Sequence, residues 1–91
     1  MTKKRPHFET FSEELKYLRE SRELSLRDVE AETGISDTMI FRYEHGMGLL
    51  EMSWKHLKAL SDFYKWDLVD MAKKAGREGG ALKEKAEQAG A

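Results

Sequence analysis

The spacing of apolar residues near the start of the chain predicts a helix. Phe11, Leu15 and Leu18 recur at intervals of three and four residues, so they form one apolar stripe on a helix over roughly 11–22. Thr10 stands just before this stripe and Glu13 follows three residues later, which is the pattern of a capping box. The first helix is therefore predicted with a defined start.

Two shorter helices follow, and their end signals are close together. Ser25 and Asp28 form a second cap pattern, with Asp in place of the usual Glu or Gln. Gly34 ends this second helix, because a residue without a Cβ atom accommodates a tight turn. Ser36 caps a third helix and Gly46 ends it. Residues 25–46 thus predict two short helices joined by a tight turn.

Two further stripes predict a fourth and a fifth helix. The fourth begins after Ser53, and its apolar face is Trp54, Leu57, Leu60, Phe63 and Tyr64. Asp67 and Asp70 resemble the start of the fifth, whose stripe is Leu68, Met71, Ala72 and Ala75. Trp54 and Trp66 stand at helix-packing positions, so we expect both in the core.

Three glycines change the pattern after residue 75. Gly76, Gly79 and Gly80 interrupt the stripe, and residues 81–89 hold Leu82 as their one large apolar residue. Such a segment forms helices readily but has little to pack with. We therefore divide the chain into a basic arm (1–10), a helical domain (11–75) and a flexible or weakly helical tail (76–91).

Composition narrows the classes of function. With 16 Lys and Arg against 17 Asp and Glu in 91 residues, the chain is not a generally basic nucleic-acid binder. The absence of cysteine excludes disulfides, thiolate metal sites and cysteine nucleophiles. No apolar run approaches the roughly 20 residues of a membrane span. We therefore expect a cytoplasmic protein without membrane contact, enzymatic activity or cofactor. We also expect no metal site, since the three histidines are far apart.

Several blocks of sequence occur in the order of a known family. Together they resemble the Cro/lambda-repressor type of helix-turn-helix family, also called the xenobiotic-response-element family. The blocks are LKYLRESRELSLRDV, TGIS, IFRYEHG and LKALSDFYKWDLVDM. The resemblance covers roughly 11–75 and implies an all-α domain of five helices, with the helix-turn-helix formed by the second and third. Val29, Ile35 and Ile40 are then expected to meet between the crossing helices.

The resemblance also implies a site that binds double-stranded DNA. The residues expected to face base edges are Ser36, Asp37, Thr38, Phe41 and Arg42. Those expected to contact phosphates are Ser25, Leu26, Arg27 and His45. Lys3, Lys4 and Arg5 of the basic arm are expected to contact phosphates as well, although a solubilising role of the arm would explain these three basic residues equally well. Arg19 and Glu44 match a structural ion pair of the family.

Each base-facing side chain has its own chemistry. The fork of Arg42 can donate two hydrogen bonds to guanine, whereas Thr38 and Phe41 can contact a thymine methyl. Asp37 can accept from cytosine, or it can simply be an acidic residue favoured by the helix dipole.

Three features depart from the family pattern. Residues 25–46 hold two arginines against five acidic residues, which is unfavourable near phosphates. Glu30 stands where the family has a small residue, and we expect its carboxylate to point outward to solvent. The loop between the third and fourth helices, residues 47–52, is apolar instead of basic. Its large apolar residues, together with Trp54 of the fourth helix, are expected to cover the core and form part of a dimer surface, or only to cap the core. These residues are Met47, Leu49, Leu50, Met52 and Trp54.

Two functions remain open from the sequence. The first is a sequence-specific transcriptional regulator, a small repressor or autoregulator that reads a palindromic operator as a homodimer. The second is a protein-binding helix-turn-helix module, antitoxin-like or factor-binding, that holds a partner through the tail or the apolar loop and binds DNA weakly.

Overall fold

The computed structural model describes the backbone of residues 8–89 and the side chains of residues 8–81. Within these limits the chain folds into five α-helices without strands: α1 Phe11–Ser21, α2 Leu26–Thr33, α3 Asp37–Glu44, α4 Trp54–Tyr64 and α5 Leu68–Ala89. A single 3₁₀ turn, Leu49–Glu51, lies between α3 and α4. The five-helix all-α architecture predicted from the sequence is confirmed.

Side chains cap the first four helices at the predicted residues. The hydroxyls of Thr10, Ser25, Ser36 and Ser53 each accept a hydrogen bond from a backbone N–H in the first turn of the helix that follows. At Ser25 the capping box is complete, because Asp28 Oδ2 accepts from the Ser25 N–H at 2.8 Å. That hydrogen bond is the first cause that lowers the pKa of Asp28. The caps fix where α2 and α3 begin.

The stripes of the helices meet in one core. Phe11, Leu15, Val29, Ile40 and Leu60 are fully buried. Ile35, in the turn between α2 and α3, is 1% exposed and belongs with Val29 and Ile40 to one buried cluster, as predicted. Gly34 makes this turn possible, since its φ of 79° lies in the left-handed region that favours glycine.

The fifth helix runs through Gly76, where the apolar stripe of the sequence is interrupted. It continues to Ala89, and its described part packs on the domain up to Gly79. Ser12 donates both its N–H, at 2.8 Å, and its hydroxyl, at 2.6 Å, to the carboxylate of Glu78. Lys74 Nζ contacts Glu14 at 2.6 Å and the Phe8 carbonyl at 3.1 Å. Tertiary contacts thus offset the low helix propensity of glycine.

Gly79 is the glycine that the packing requires. A Cβ atom at this position would lie 2.9 Å from Leu50 Cγ and 3.2 Å from Leu49 Cβ. The bare backbone of α5 therefore sits directly on the 3₁₀ turn. At Gly76 and Gly80 a Cβ atom would meet nothing within 4 Å.

One expectation about the core is corrected. Trp66 is buried at 2% exposure, but Trp54 is 64% exposed, so its place in the core was wrongly predicted. Trp54 is the first residue of α4, and this end of the helix is exposed. The apolar loop is also divided: Leu49 is buried and Met52 half-buried, whereas Met47 and Leu50 are exposed.

Candidate nucleic-acid interface

The third helix has one face in the core and one in solvent. Ile40, Tyr43 and Glu44 are buried on the inner face. Thr38, Arg42 and His45 follow one another at four- and three-residue intervals on the opposite side, and all three are exposed. Phe41 lies beside this row and is 45% exposed. The core contacts of α3 thus leave its outer side chains free to meet a ligand.

Buried polar contacts hold α3 on the rest of the domain. Arg19 Nε and Nη2 donate to the two carboxylate oxygens of Glu44 at 2.7 and 3.0 Å, and Arg19 Nη1 donates to the Leu24 carbonyl. This fork joins α1 to the end of α3, in the place expected for the structural ion pair. The Glu44 hydrogen bond is the main cause that raises the pKa of Arg19.

A second contact joins α3 to α4. The Tyr43 hydroxyl lies 2.7 Å from His56 Nδ1 in a hydrogen bond. Burial raises the pKa of Tyr43, which therefore stays neutral through the physiological range. Neither Tyr43 nor His56 was singled out as a site residue in the sequence, since their separation of thirteen residues follows no motif.

Glu30 does not point outward as expected. Its side chain is half-buried, and Oε1 accepts from the backbone N–H of Asp37 at 3.3 Å. This N–H belongs to the first turn of α3 and has no partner within the helix. Glu30 therefore gains a hydrogen bond that offsets its partial burial, and it caps the same helix end that Ser36 caps through Met39.

The start of α2 keeps some of its hydrogen-bond donors for a ligand. The Ser25 N–H donates to Asp28 Oδ2, whereas the Ser25 hydroxyl oxygen accepts from the Asp28 N–H and keeps its own hydrogen to donate. Geometry leaves the N–H groups of Leu26 and Arg27 without acceptors within the helix, because both lie in its first turn. The Arg27 side chain is 89% exposed, with Nε 3.9 Å from Asp37 Oδ2.

The predicted site residues fall into two places on this surface. Asp37, Thr38 and Phe41 share a cleft with Leu26. Arg42 lies on the other side, where it lines a cleft with the loop residues Gly48, Leu50 and Glu51. No ion pair ties Arg42 within the described residues, so its guanidinium is available. Lys3, Lys4 and Arg5 lie outside the part of the chain that the structure describes.

Most of the acidic side chains in this segment have hydrogen-bond partners within the fold. Of the five acidic side chains between residues 25 and 46, four accept hydrogen bonds from groups of the domain. These are Asp28, Glu30, Asp37 and Glu44, bonded in turn to Ser25, Asp37, Thr38 and Arg19. These carboxylates serve the helix ends and the Arg19 pair. Glu44 is buried against Arg19, whereas Asp28 is exposed and the Asp37 side chain is 39% exposed, so the charge of these two still faces a phosphate.

Two short helices that cross over a shared apolar contact, the second with a free outer face, define a helix-turn-helix domain. The chain belongs to the Cro/lambda-repressor-type, xenobiotic-response-element-like helix-turn-helix family, which matches residues 15–65, more than half of the chain. Membership of this family indicates DNA binding. No curated protein and no solved structure matches the chain.

Metal-ligand clusters and membrane-spanning helices are both absent from the described residues. No three His, Asp or Glu side chains among them come together as ligands for a metal ion. Within the same part of the chain, no helix has the length and apolar character that would carry it across a membrane.

Proposed function

We propose that the protein is a sequence-specific DNA-binding transcriptional regulator that acts as a homodimer, in the manner of a small repressor or autoregulator. In this proposal α3 enters the major groove, whose width of roughly 12 Å admits one helix. Two copies read two half-sites about one helical turn apart on an approximate palindrome. The basic arm, residues 1–10, adds phosphate contacts.

The observation that carries the proposal is the division of α3 into two faces. Its inner face is held by the core, the Arg19–Glu44 fork and the Tyr43–His56 hydrogen bond. Its outer face presents a guanidinium, a hydroxyl and an aromatic ring that are exposed. These three groups match the donors and apolar contacts that read base edges in the major groove.

The homodimer rests on the exposed part of the apolar loop. Met47, Leu50 and Trp54, here called the apolar loop surface, are 45%, 52% and 64% exposed. Three large apolar side chains so close in the sequence and so exposed favour a surface that a second molecule covers. Leu49 and Met52, by contrast, act as core cover.

A second candidate function uses the same surface for another protein. An antitoxin-like or factor-binding module would hold its partner through the apolar loop surface or the tail and bind DNA weakly. The excess of acidic over basic residues between 25 and 46 favours this candidate. The exposed guanidinium of Arg42 and the basic arm favour the regulator.

Selection of bound duplexes from a random DNA pool tests the proposal. The regulator predicts a recovered motif with two-fold symmetry, because a homodimer presents α3 twice. An unsymmetrical motif would retain DNA reading and contradict the symmetric dimer. Recovery of no motif by folded protein would contradict the regulator and place the protein-binding module first.

A further inference from the structure

The cleft at the start of α3 combines two kinds of surface that discriminate between bases. It has a volume of about 230 Å³ and is lined by Leu26, Asp37, Thr38 and Phe41. Its lining thus combines two apolar side chains with a carboxylate and a hydroxyl. It lies on the outer face of α3, which the proposed function turns toward base edges.

The carboxylate is held in place and serves as an acceptor. Asp37 Oδ1 accepts from the Thr38 N–H at 2.7 Å, and Oδ2 lies 3.9 Å from Arg27 Nε. The Asp37 side chain keeps 39% of its surface exposed, so lone pairs remain accessible from the cleft. An ionised carboxylate has no hydrogen to donate, so only a donor on the base can bind it.

The aromatic wall is supported from behind. The Phe41 ring packs on the His45 ring with centroids 4.1 Å apart and 30° between the planes. His45 Nδ1 lies 2.8 Å from the Phe41 carbonyl oxygen, and because a carbonyl only accepts, Nδ1 carries the proton. His45 therefore positions Phe41, whose remaining exposed surface lines the cleft.

The base edges of the major groove differ in what they would meet there. Thymine presents a methyl group next to the O4 acceptor, and guanine presents two acceptors, so the carboxylate would repel both. Adenine offers an amino donor but places the N7 acceptor beside it. Cytosine presents its N4 amino donor beside the apolar C5 edge, which complements a carboxylate next to an apolar wall.

We propose that this cleft reads a cytosine, with the N4 amino group donating to Asp37 and C5 facing Phe41 and Leu26. The wall around C5 is apolar, so a methyl group on C5 adds buried apolar surface. The protein therefore binds 5-methylcytosine more tightly than cytosine at this position. This inference rests on the proposed function, because it assumes that the outer face of α3 meets base edges.

The test uses the full chain and the operator recovered by selection. Each cytosine is replaced in turn by 5-methylcytosine or by N4-methylcytosine, both paired with guanine, and affinity is measured by fluorescence anisotropy. At one cytosine of the half-site, 5-methylation strengthens binding about fourfold, as expected for one buried methyl group. N4-methylation at the same position removes the free amino hydrogen and weakens binding about tenfold.

Two variants assign these effects to their residues. Asp37→Ala abolishes the N4-methyl penalty, and Phe41→Ala abolishes the C5-methyl gain while the N4-methyl penalty remains. Asp62→Ala is the matched control, because it removes an exposed aspartate of α4 that pairs only with Lys58 on its own helix. Circular dichroism establishes that each variant is folded.

The outcomes separate this inference from the proposed function. If a motif is recovered but Asp37→Ala changes the N4-methyl penalty at none of its cytosines, the inference is overturned and the proposed function stands. Weaker binding at every 5-methylated cytosine has the same meaning. A motif without cytosine also overturns the inference and leaves the regulator intact. Recovery of no motif by folded wild-type protein overturns both.

Discussion

Tyr64 ends α4 with a buried hydroxyl that has no hydrogen-bond partner in the described part of the chain. The Arg22 guanidinium lies 5.1 Å from the centre of its ring. Burial is the first cause that raises the pKa of Tyr64 to about 12, and the nearby Glu44 acts in the same direction. The fold therefore favours the neutral phenol.

This burial predicts a stability loss at alkaline pH. In the unfolded chain Tyr64 ionises near pH 10, whereas in the folded chain it holds its proton until about pH 12. Its contribution is complete below pH 10 and is lost as the pH rises to about 12. Tyr64→Phe removes an unsatisfied hydroxyl, so we expect it to be about 1 kcal/mol more stable at neutral pH.

Urea unfolding across this pH range measures both effects. Tyr64→Phe should show a shallower alkaline decline than the wild type, with a residual slope because burial also raises the pKa of Tyr43. Tyr17→Phe removes a hydroxyl from a half-buried side chain and is the control. Parallel alkaline declines in Tyr64→Phe and wild type would contradict this account.

Glu30 gives a second prediction at the scale of the residue. Because its carboxylate caps the first turn of α3, Glu30→Ala should lower the free energy of unfolding by about 1 kcal/mol. Glu32→Ala, at an exposed position of α2, the helix that also holds Glu30, should change the free energy of unfolding by less than about 0.5 kcal/mol. Thermal unfolding compares the two, and equal effects would show that the Glu30 cap contributes nothing.

The sequence did not reveal the role of Glu30. Burying a carboxylate without a partner costs free energy, so the sequence correctly excluded an unpaired buried Glu30. The partner is a backbone N–H seven residues away, brought close by the turn at Gly34. Periodicity within one helix contains no information about such a contact between helices.

At the scale of the element, the three glycines of α5 predict opposite effects for the same substitution. Gly76→Ala and Gly80→Ala meet open space and gain helix propensity, so each should stabilise the protein by about 1 kcal/mol. Gly79→Ala forces Cβ against Leu50 and Leu49, and the displaced 3₁₀ turn should cost about 1–3 kcal/mol. Thermal unfolding of the three variants checks the order.

A stabilising Gly79→Ala would contradict the close packing of α5 on the 3₁₀ turn. Destabilisation by all three alanines would instead contradict the helical continuation beyond Gly76. The comparison is internally matched, because all three substitutions add one methyl group to the same helix.

The elements themselves were largely predictable from local signals. Caps at Thr10, Ser25, Ser36 and Ser53 mark helix starts because side-chain oxygens bond the N–H groups that follow within three residues. The continuation of α5 through its glycines was not predictable in this way. It depends on Ser12 and Glu78, which are 66 residues apart in the chain.

At the scale of the whole molecule, the apolar loop surface predicts the assembly state. Trp54→Glu places a charge on this surface, so it should convert a dimer into a monomer. Val69→Glu is the matched control, since Val69 is 61% exposed and also lies in the first turn of its helix. Sedimentation equilibrium measures the mass of each variant.

A wild-type monomer at all concentrations would contradict the homodimer. A dimer that survives Trp54→Glu but not Val69→Glu would move the interface to the start of α5. The sequence identified the loop as apolar, but it could not divide the loop residues between core and surface. That division depends on how α5 covers the 3₁₀ turn.

The central claim is that the outer face of α3 reads DNA sequence, and Arg42 tests it most directly. The measurement is the ratio of affinities for the recovered operator and a scrambled duplex, made at one salt concentration for wild type and Arg42→Ala. We expect a wild-type ratio of about 10³ or more. In Arg42→Ala this ratio should fall about tenfold or more, while the affinity for the scrambled duplex changes little. A wild-type ratio near one, or a ratio that Arg42→Ala leaves unchanged, would contradict it.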